Sequence, residues 1–84
     1  MPEHRPIERI AADLRRVRRV RASFEPGASA IKKIGARQAY DALLVQACTA
    51  LGVEHRLHLL PEGMDREIER LRVEECLRHH GLSV

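Results

Sequence analysis

Aromatic residues are nearly absent from this chain of 84 residues. It contains one tyrosine (Tyr40), one phenylalanine (Phe24) and no tryptophan. A core must therefore be built from Leu, Ile, Val and Ala, which pack helices closely in well-defined rotamers. The same scarcity leaves little surface on which the bases of a single-stranded nucleic acid stack.

Cysteines, lysines and long apolar runs are also scarce. Cys48 and Cys76 are the only cysteines, and two thiols without a secretory leader favour the reducing cytoplasm. The N-terminal "MPEHRPIERI" has no apolar run, so we expect neither a cleaved signal nor an anchor. No stretch approaches about 18 uncharged apolar residues, so we expect no membrane span. Arginine greatly outnumbers lysine (Lys32 and Lys33), which indicates a GC-rich coding sequence and favours a bacterial source.

The net charge of +3 conceals an uneven distribution. Residues 1–40 carry ten Lys and Arg against four Asp and Glu, whereas residues 41–84 carry five against eight. The basic half can pair with the acidic half of its own chain or of a second copy. It can equally be presented to an acidic partner.

Helical periodicity and its interruptions define the predicted fold. Apolar residues recur three and four positions apart in the first segment, and "EPGAS" (25–29) interrupts the pattern. The later part of the second segment, "AYDALLVQACTAL", is apolar nearly all round, which is typical of a helix in the middle of a bundle. We predict a single all-α domain over residues 1–84, with helices near 6–23, 28–51 and 64–80 and a central second helix.

The segment "VEHRLHLL" (53–60) fits two patterns. Val53, His55, Leu57 and Leu59 alternate as in a strand, whereas Leu57, Leu60 and later apolar residues recur as in a helix. A lone strand in a helical chain has no partner. We therefore predict a short helical or irregular element near 54–60 that ends at Pro61.

The stretch "LRRVRRVR" (14–21) is the most distinctive feature of the sequence. At roughly 100° per residue, Arg15, Arg16 and Arg19 face away from the apolar stripe of the first helix, and Arg18 and Arg21 lie at its boundary. Like charges three and four positions apart repel one another by a few tenths of a kcal/mol per pair. A nearby anion relieves that repulsion, so we predict a partner-binding basic face comprising Arg15, Arg16, Arg18, Arg19, Arg21, Lys32 and Lys33.

Nucleic acid is the alternative ligand for this basic face. "QACTALGVEHRL" resembles the first helix and turn of a helix-turn-helix unit, with Gly52 in the turn. However, Pro61 would cut short a recognition helix formed by the residues that follow. The arginine helix also lacks the Asn, Gln, Ser or Thr that usually accompany arginines in a major groove until Ser23.

Metal binding and catalysis have weaker support in the sequence. His55, His58, Cys76, His79 and His80 are metal-capable residues at helical spacing, but structural zinc sites usually show paired C-x2-C motifs. A Cys76–His79 or Cys76–His80 pair lacks an evident third orienting group. We therefore predict no resident metal, no cofactor and no enzymatic activity.

Self-association is the last expectation. Only two other helices are available to cover the apolar central helix. We therefore expect part of residues 41–51 or of residues 57–60 to be exposed. Exposed apolar patches usually mark interfaces, and a symmetric dimer buries them. The predicted function is a cytoplasmic, non-enzymatic interaction or adaptor module. We predict that the chain forms a homodimer and presents a basic helix face to an acidic protein partner.

Overall fold

The computed structural model describes residues 7–84 and is helical in that range apart from its connecting segments and residues 80–84. Helix α1 spans Ile7–Ala22, α2 spans Ala30–Leu51 and α3 spans Met64–His79, with a 3-10 turn at Leu57–Leu59 between α2 and α3. The predicted all-α fold is confirmed, including the short element before Pro61. No strand occurs in the described range, and Pro6, the predicted start of the first helix, lies outside it.

Side-chain and backbone caps explain where α2 begins and ends. The Ser29 hydroxyl accepts a hydrogen bond of 3.2 Å from the Lys32 backbone N–H, which satisfies a donor that the first helical turn leaves free. At the other end Gly52 adopts φ +70°, a left-handed conformation, and Val53 N–H donates to the Cys48 carbonyl at 2.9 Å. Glycine adopts that conformation without steric strain, so the chain turns away directly after Leu51.

Helix α2 packs against both other helices, as predicted. The Arg21 guanidinium lies over the Tyr40 ring, and Ile7 shares a cavity with Leu51, so α1 runs antiparallel to α2. Arg37 meets Glu62, and Asp41 meets Arg66, so α3 advances in the same direction as α2. The fully buried side chains between the helices include Leu14, Tyr40, Leu44, Leu57, Val73 and Leu77.

The exposed apolar side chains lie partly where the sequence predicts and partly elsewhere. Within residues 41–51, Leu43, Leu44, Ala47 and Cys48 are buried, and the apolar residues left exposed are the small Ala42 and Ala50. The reason is that α1, α3 and the 3-10 turn together cover the second half of α2. Exposure is correctly predicted within 57–60 at Leu59, which is 66% exposed. The other exposed large apolar side chains are Val20, Ile31, Ile34, Met64, Ile68 and Leu71.

A buried cluster of charges fixes α3 on α2. The Asp41 carboxylate accepts hydrogen bonds from Arg70 at 2.6 and 2.8 Å and from Arg66 at 3.0 Å. Burial alone would raise the pKa of Asp41, but the hydrogen bonds from Arg70 and Arg66 outweigh it and hold that pKa below its usual value. Arg66 also donates to the carbonyls of Leu57 and Leu60, at 2.8 and 2.6 Å, so the same cluster holds the 3-10 turn. None of the helices of residues 7–84 is long and apolar enough to cross a membrane.

Candidate binding cleft

The end of α1 and the first half of α2 extend beyond the core, and basic side chains line the space between them. Arg21, Phe24, Lys33 and Arg37 surround an open cavity of about 370 Å³. We call these four residues the cationic cleft. Phe24 contributes a half-buried apolar wall beside the three cations.

Helical periodicity explains why cations face inward here. Arg21 follows the buried Leu14 by seven residues, and Lys33 and Arg37 precede the buried Tyr40 and Leu44 by the same interval. Seven residues are close to two helical turns, so each pair lies on one face of its helix. The cleft therefore continues the core-facing sides of α1 and α2 into a region that α3 does not cover.

The three cations have different contacts. The Arg21 guanidinium lies 5.1 Å from the centre of the Tyr40 ring, a cation–π distance. Arg37 Nη1 lies 3.5 Å from Glu62 Oε2, and both side chains are partly exposed. Lys33 forms no ion pair or side-chain hydrogen bond with any residue from 7 to 84. Arg37 and Lys33 are therefore free to reorient toward an anion at little cost.

Tyr40 lies beside the cleft, beneath the Arg21 guanidinium, and is not part of the cleft lining. Its hydroxyl donates to the Glu74 carboxylate, which is also buried. Burial, followed by the hydrogen bond and the charge of Glu74, raises the pKa of Tyr40 above its usual value. The tyrosine therefore stays neutral at physiological pH, and its ring offers Arg21 a fixed surface.

A second groove adjoins the cleft across Arg21. Its lining includes Arg18, Arg21, Glu67, Leu71 and Glu74, so it brings α1 arginines near α3 carboxylates. Within the described chain no α1 arginine comes within salt-bridge distance of an α3 acid. The α3 acids bind other side chains instead: Glu67 pairs with Arg70, Glu69 with Arg72 and Glu75 with Arg78. The acidic helix thus leaves the repulsion within α1 in place.

The structure distributes the predicted basic face over several environments. Arg21 and Lys33 line the cleft, and Arg18 lies in the adjoining groove. Arg15 Nη1 donates to the Ser83 carbonyl at 2.9 Å, and Arg16 pairs with Asp13 at 3.1 Å. The remaining two members, Arg19 and Lys32, are exposed.

Two cleft residues, Phe24 and Arg37, are absent from the predicted basic face. The sequence does contain a signal for both. Phe24 belongs to the apolar pattern of the first segment, and Arg37 lies four residues after Lys33 and seven before Leu44. Both residues lie at positions that continue the core-facing side of their helix beyond its apolar residues, and this criterion would have identified them. A search for clustered positive charge identifies the outer face of α1 instead.

The histidines and cysteines are not gathered into one cluster in the described part of the chain. The His55 and His58 rings meet edge to face with centroids 5.2 Å apart. His80 Nδ1 lies 2.9 Å from the Cys76 carbonyl oxygen rather than approaching the thiol. No group of three or more metal-capable side chains occurs among residues 7–84.

The residues after Gly52 do not form a recognition helix. The chain is non-helical from Val53 to Arg56, makes the short turn at Leu57–Leu59 and starts its next helix only at Met64. A helix-turn-helix unit needs a second helix directly after the turn, so the similarity of residues 46–57 to that motif does not extend to the structure. Comparison with family models, curated proteins and solved structures gives no match for the chain.

Proposed function

We propose that this chain is a small non-enzymatic interaction module whose cationic cleft binds an acidic segment of a partner protein. The observation that carries the proposal is the inward placement of Arg21, Lys33 and Arg37 around one cavity beside Phe24. Arginine guanidinium groups bind carboxylates with two parallel hydrogen bonds, and lysine adds a mobile point charge. A cleft with one apolar wall suits a peptide that carries an apolar side chain among its acidic ones.

The alternative ligand, nucleic acid, has less support. A phosphate backbone is best followed by a continuous row of cations. Four of the six α1 arginines are instead divided among the cleft, the adjoining groove, Asp13 and the Ser83 carbonyl. The cleft also has no second aromatic ring on which a base could stack. Acidic protein is therefore the ligand class that we propose.

The proposal includes self-association and a bacterial cytoplasmic location. Two copies would present two clefts to one partner and raise its apparent affinity through multivalency. The exposed apolar side chains of α3 support self-association. The arginine-rich composition and the two free cysteines support the location.

A binding measurement with matched variants tests the cleft. The probe is a short fluorescein-labelled peptide rich in glutamate with one central leucine, and the readout is fluorescence anisotropy. The double variant Lys33→Gln/Arg37→Gln removes two cleft charges, whereas Arg9→Gln/Arg56→Gln removes two exposed charges outside the cleft. We expect the first variant to bind at least about tenfold more weakly, which corresponds to one lost charge-assisted hydrogen bond, and the second to change affinity less than about twofold.

A DNA duplex of random sequence serves as the competing probe. Tighter binding of the duplex than of the peptide, with a steep loss of affinity as salt rises, would favour the nucleic-acid alternative and overturn the proposal. Equal weakening of peptide binding by the two double variants would show that net charge rather than the cleft attracts the peptide. That result also contradicts the proposal.

A further inference from the structure

Helix α3 carries an apolar stripe that no described residue covers. Met64, Ile68 and Leu71 are 74%, 58% and 64% exposed. They are spaced four and three residues apart, so they lie on one face of the helix. Leu60 and Ile68 also share the lining of a shallow cavity, which extends the apolar surface toward the 3-10 turn.

Charged residues on one flank of this stripe are self-complementary. Asp65 and Arg72 are seven residues apart, so they lie on the same flank, about two turns from each other. The point midway between Asp65 and Arg72 falls within one residue of the point midway between Ile68 and Leu71. A single two-fold axis through that position therefore sets Ile68 against Leu71 of a second copy. The same axis brings Asp65 toward Arg72 of that copy.

The two flanking side chains are available for such a contact. Asp65 is exposed and forms no ion pair with the other described residues. Arg72 binds Glu69 and the Glu54 carbonyl through Nε and Nη2, and its Nη1 makes only a 3.6 Å contact with the Cys76 sulfur. A guanidinium has five N–H donors, so Arg72 can bind a further carboxylate without losing its present ones.

We propose that two copies of this chain dimerise through antiparallel α3 helices, with Ile68 and Leu71 in the centre and reciprocal Asp65–Arg72 ion pairs at the flank. This inference rests on the self-association included in the proposed function, but not on the acidic ligand. An isologous contact of this kind repeats each interaction twice. The stripe is short, so the dimer belongs among small, concentration-dependent interfaces. The cationic cleft lies between α1 and α2 and remains open in the dimer.

The first test measures molar mass by light scattering over a concentration series. We expect the wild-type chain to shift from its monomer mass of 9.6 kDa toward twice that mass as concentration rises. Ile68→Gln removes a central contact and should weaken the dimer at least about tenfold. Ile31→Gln is the matched control because Ile31 is 83% exposed on α2. Both isoleucines are exposed, so neither substitution should unfold the chain.

A charge exchange tests the antiparallel register. Asp65→Lys and Arg72→Glu should each weaken the homodimer, because each places like charges together in both reciprocal pairs. An equimolar mixture of the two variants should regain a dimer, since opposite charges then face each other twice. Circular dichroism establishes that Arg72→Glu is folded. If Arg72→Glu is not folded, disulfide formation measures the register instead. A mixture of the Ile68→Cys and Leu71→Cys variants should form more interchain disulfide than either variant does by itself.

The outcomes separate this inference from the binding proposal. A wild-type chain that stays monomeric at every concentration overturns both the α3 dimer and self-association. Peptide binding by the cleft is tested separately, by the anisotropy measurement. A dimer that Ile68→Gln leaves intact, or that neither the charge exchange nor the cysteine pair restores selectively, overturns the α3 interface alone.

Discussion

Helices α1 and α3 are equally long but use their charges in opposite ways. Helix α1 carries two acids and six arginines, whereas α3 carries five acids and four arginines. In α3 every charged side chain except Asp65 contacts a charged or polar group of the described chain. In α1, by contrast, Arg9, Arg18 and Arg19 form no ion pair or side-chain hydrogen bond within residues 7–84.

This difference separates structural charges, which stabilise the fold, from available charges, which the fold leaves without a partner. Three α3 arginines neutralise buried carboxylates, Arg66 and Arg70 that of Asp41 and Arg72 that of Glu69. Removing one of these carboxylates leaves a charge in a poorly hydrated site. The unpaired α1 arginines are exposed and solvated, so their loss leaves nothing buried without a partner. Substitutions in the two helices should therefore differ widely in their effect on stability.

The largest effect is expected from Asp41→Ala, which removes the carboxylate that holds α3 on α2. Arg70 is 3% exposed and loses its principal partner. Breaking a buried pair in this way should lower the free energy of unfolding by about 3 to 5 kcal/mol. Urea denaturation followed by circular dichroism measures the change.

Asp65→Ala is the control for this substitution. Asp65 is an exposed carboxylate in the first turn of α3, so its loss should cost less than about 1 kcal/mol. Equal destabilisation by the two substitutions would refute the distinction between structural and available charges.

An acid titration of stability should give the next largest effect, through Glu69. Hydrogen bonds from Arg72, assisted by the Arg56 backbone N–H and opposed by burial, lower the pKa of Glu69 to about 2 from an ordinary 4.5. Because the folded-state pKa is depressed, the stabilisation is complete above the unfolded value and is lost as pH falls from about 4.5 to about 2.

Glu69→Gln isolates this contribution. The variant should be less stable than the wild-type chain by about 2 kcal/mol at pH 7, since it loses hydrogen bonds to a charged group. The stability of the variant should also fall less than that of the wild-type chain between about pH 4.5 and about pH 2. The fall that remains comes from Asp41 and the other carboxylates. Parallel pH profiles for the two proteins would show that Glu69 is not coupled to folding.

Local periodicity predicted the helices but not which charges became buried. Residues four apart on a helix are expected to pair when their charges are opposite, and Glu62 and Arg66 do lie 3.9 Å apart. The same spacing favours a Glu74–Arg78 pair, but that pair does not form, because Glu74 faces inward to Tyr40 and Arg78 binds Glu75 at 3.3 Å. Spacing along one helix cannot tell whether a third element draws a side chain into the core.

Asp41 did leave a signal in the sequence. It is the one charged residue between Gln38 and Val53, in a segment that is otherwise apolar or neutral. A carboxylate on a buried helix needs a charged or hydrogen-bonding partner, so its presence predicts basic residues on a neighbouring helix. The identity of those residues, Arg66 and Arg70, depends on how α3 crosses α2, which is set by the return of the chain through residues 52–63.

The cationic cleft could be predicted only in part for the same reason. Arg21 and Lys33 were selected from the sequence as members of the basic face. The cleft exists because α1 and α2 extend past the N-terminal end of α3. No local sequence pattern predicts where α3 lies along α2. Density of positive charge therefore emphasised Arg15, Arg16 and Arg19, which the structure places outside the cleft.

The smallest effect should come from Arg19→Gln, which sharpens the comparison from the α1 side. The substitution removes repulsion with Arg15 and Arg16, worth about 0.2 to 0.5 kcal/mol for each pair. It also removes a cation from the last turn of α1, where the helix dipole favours one by about 0.3 to 1 kcal/mol at an exposed site. Glutamine and arginine have similar helix propensities, so the two terms nearly cancel. We expect the free energy of unfolding to change by less than about 0.5 kcal/mol in urea denaturation, and a loss above about 2 kcal/mol would mean that Arg19 is bound within the fold.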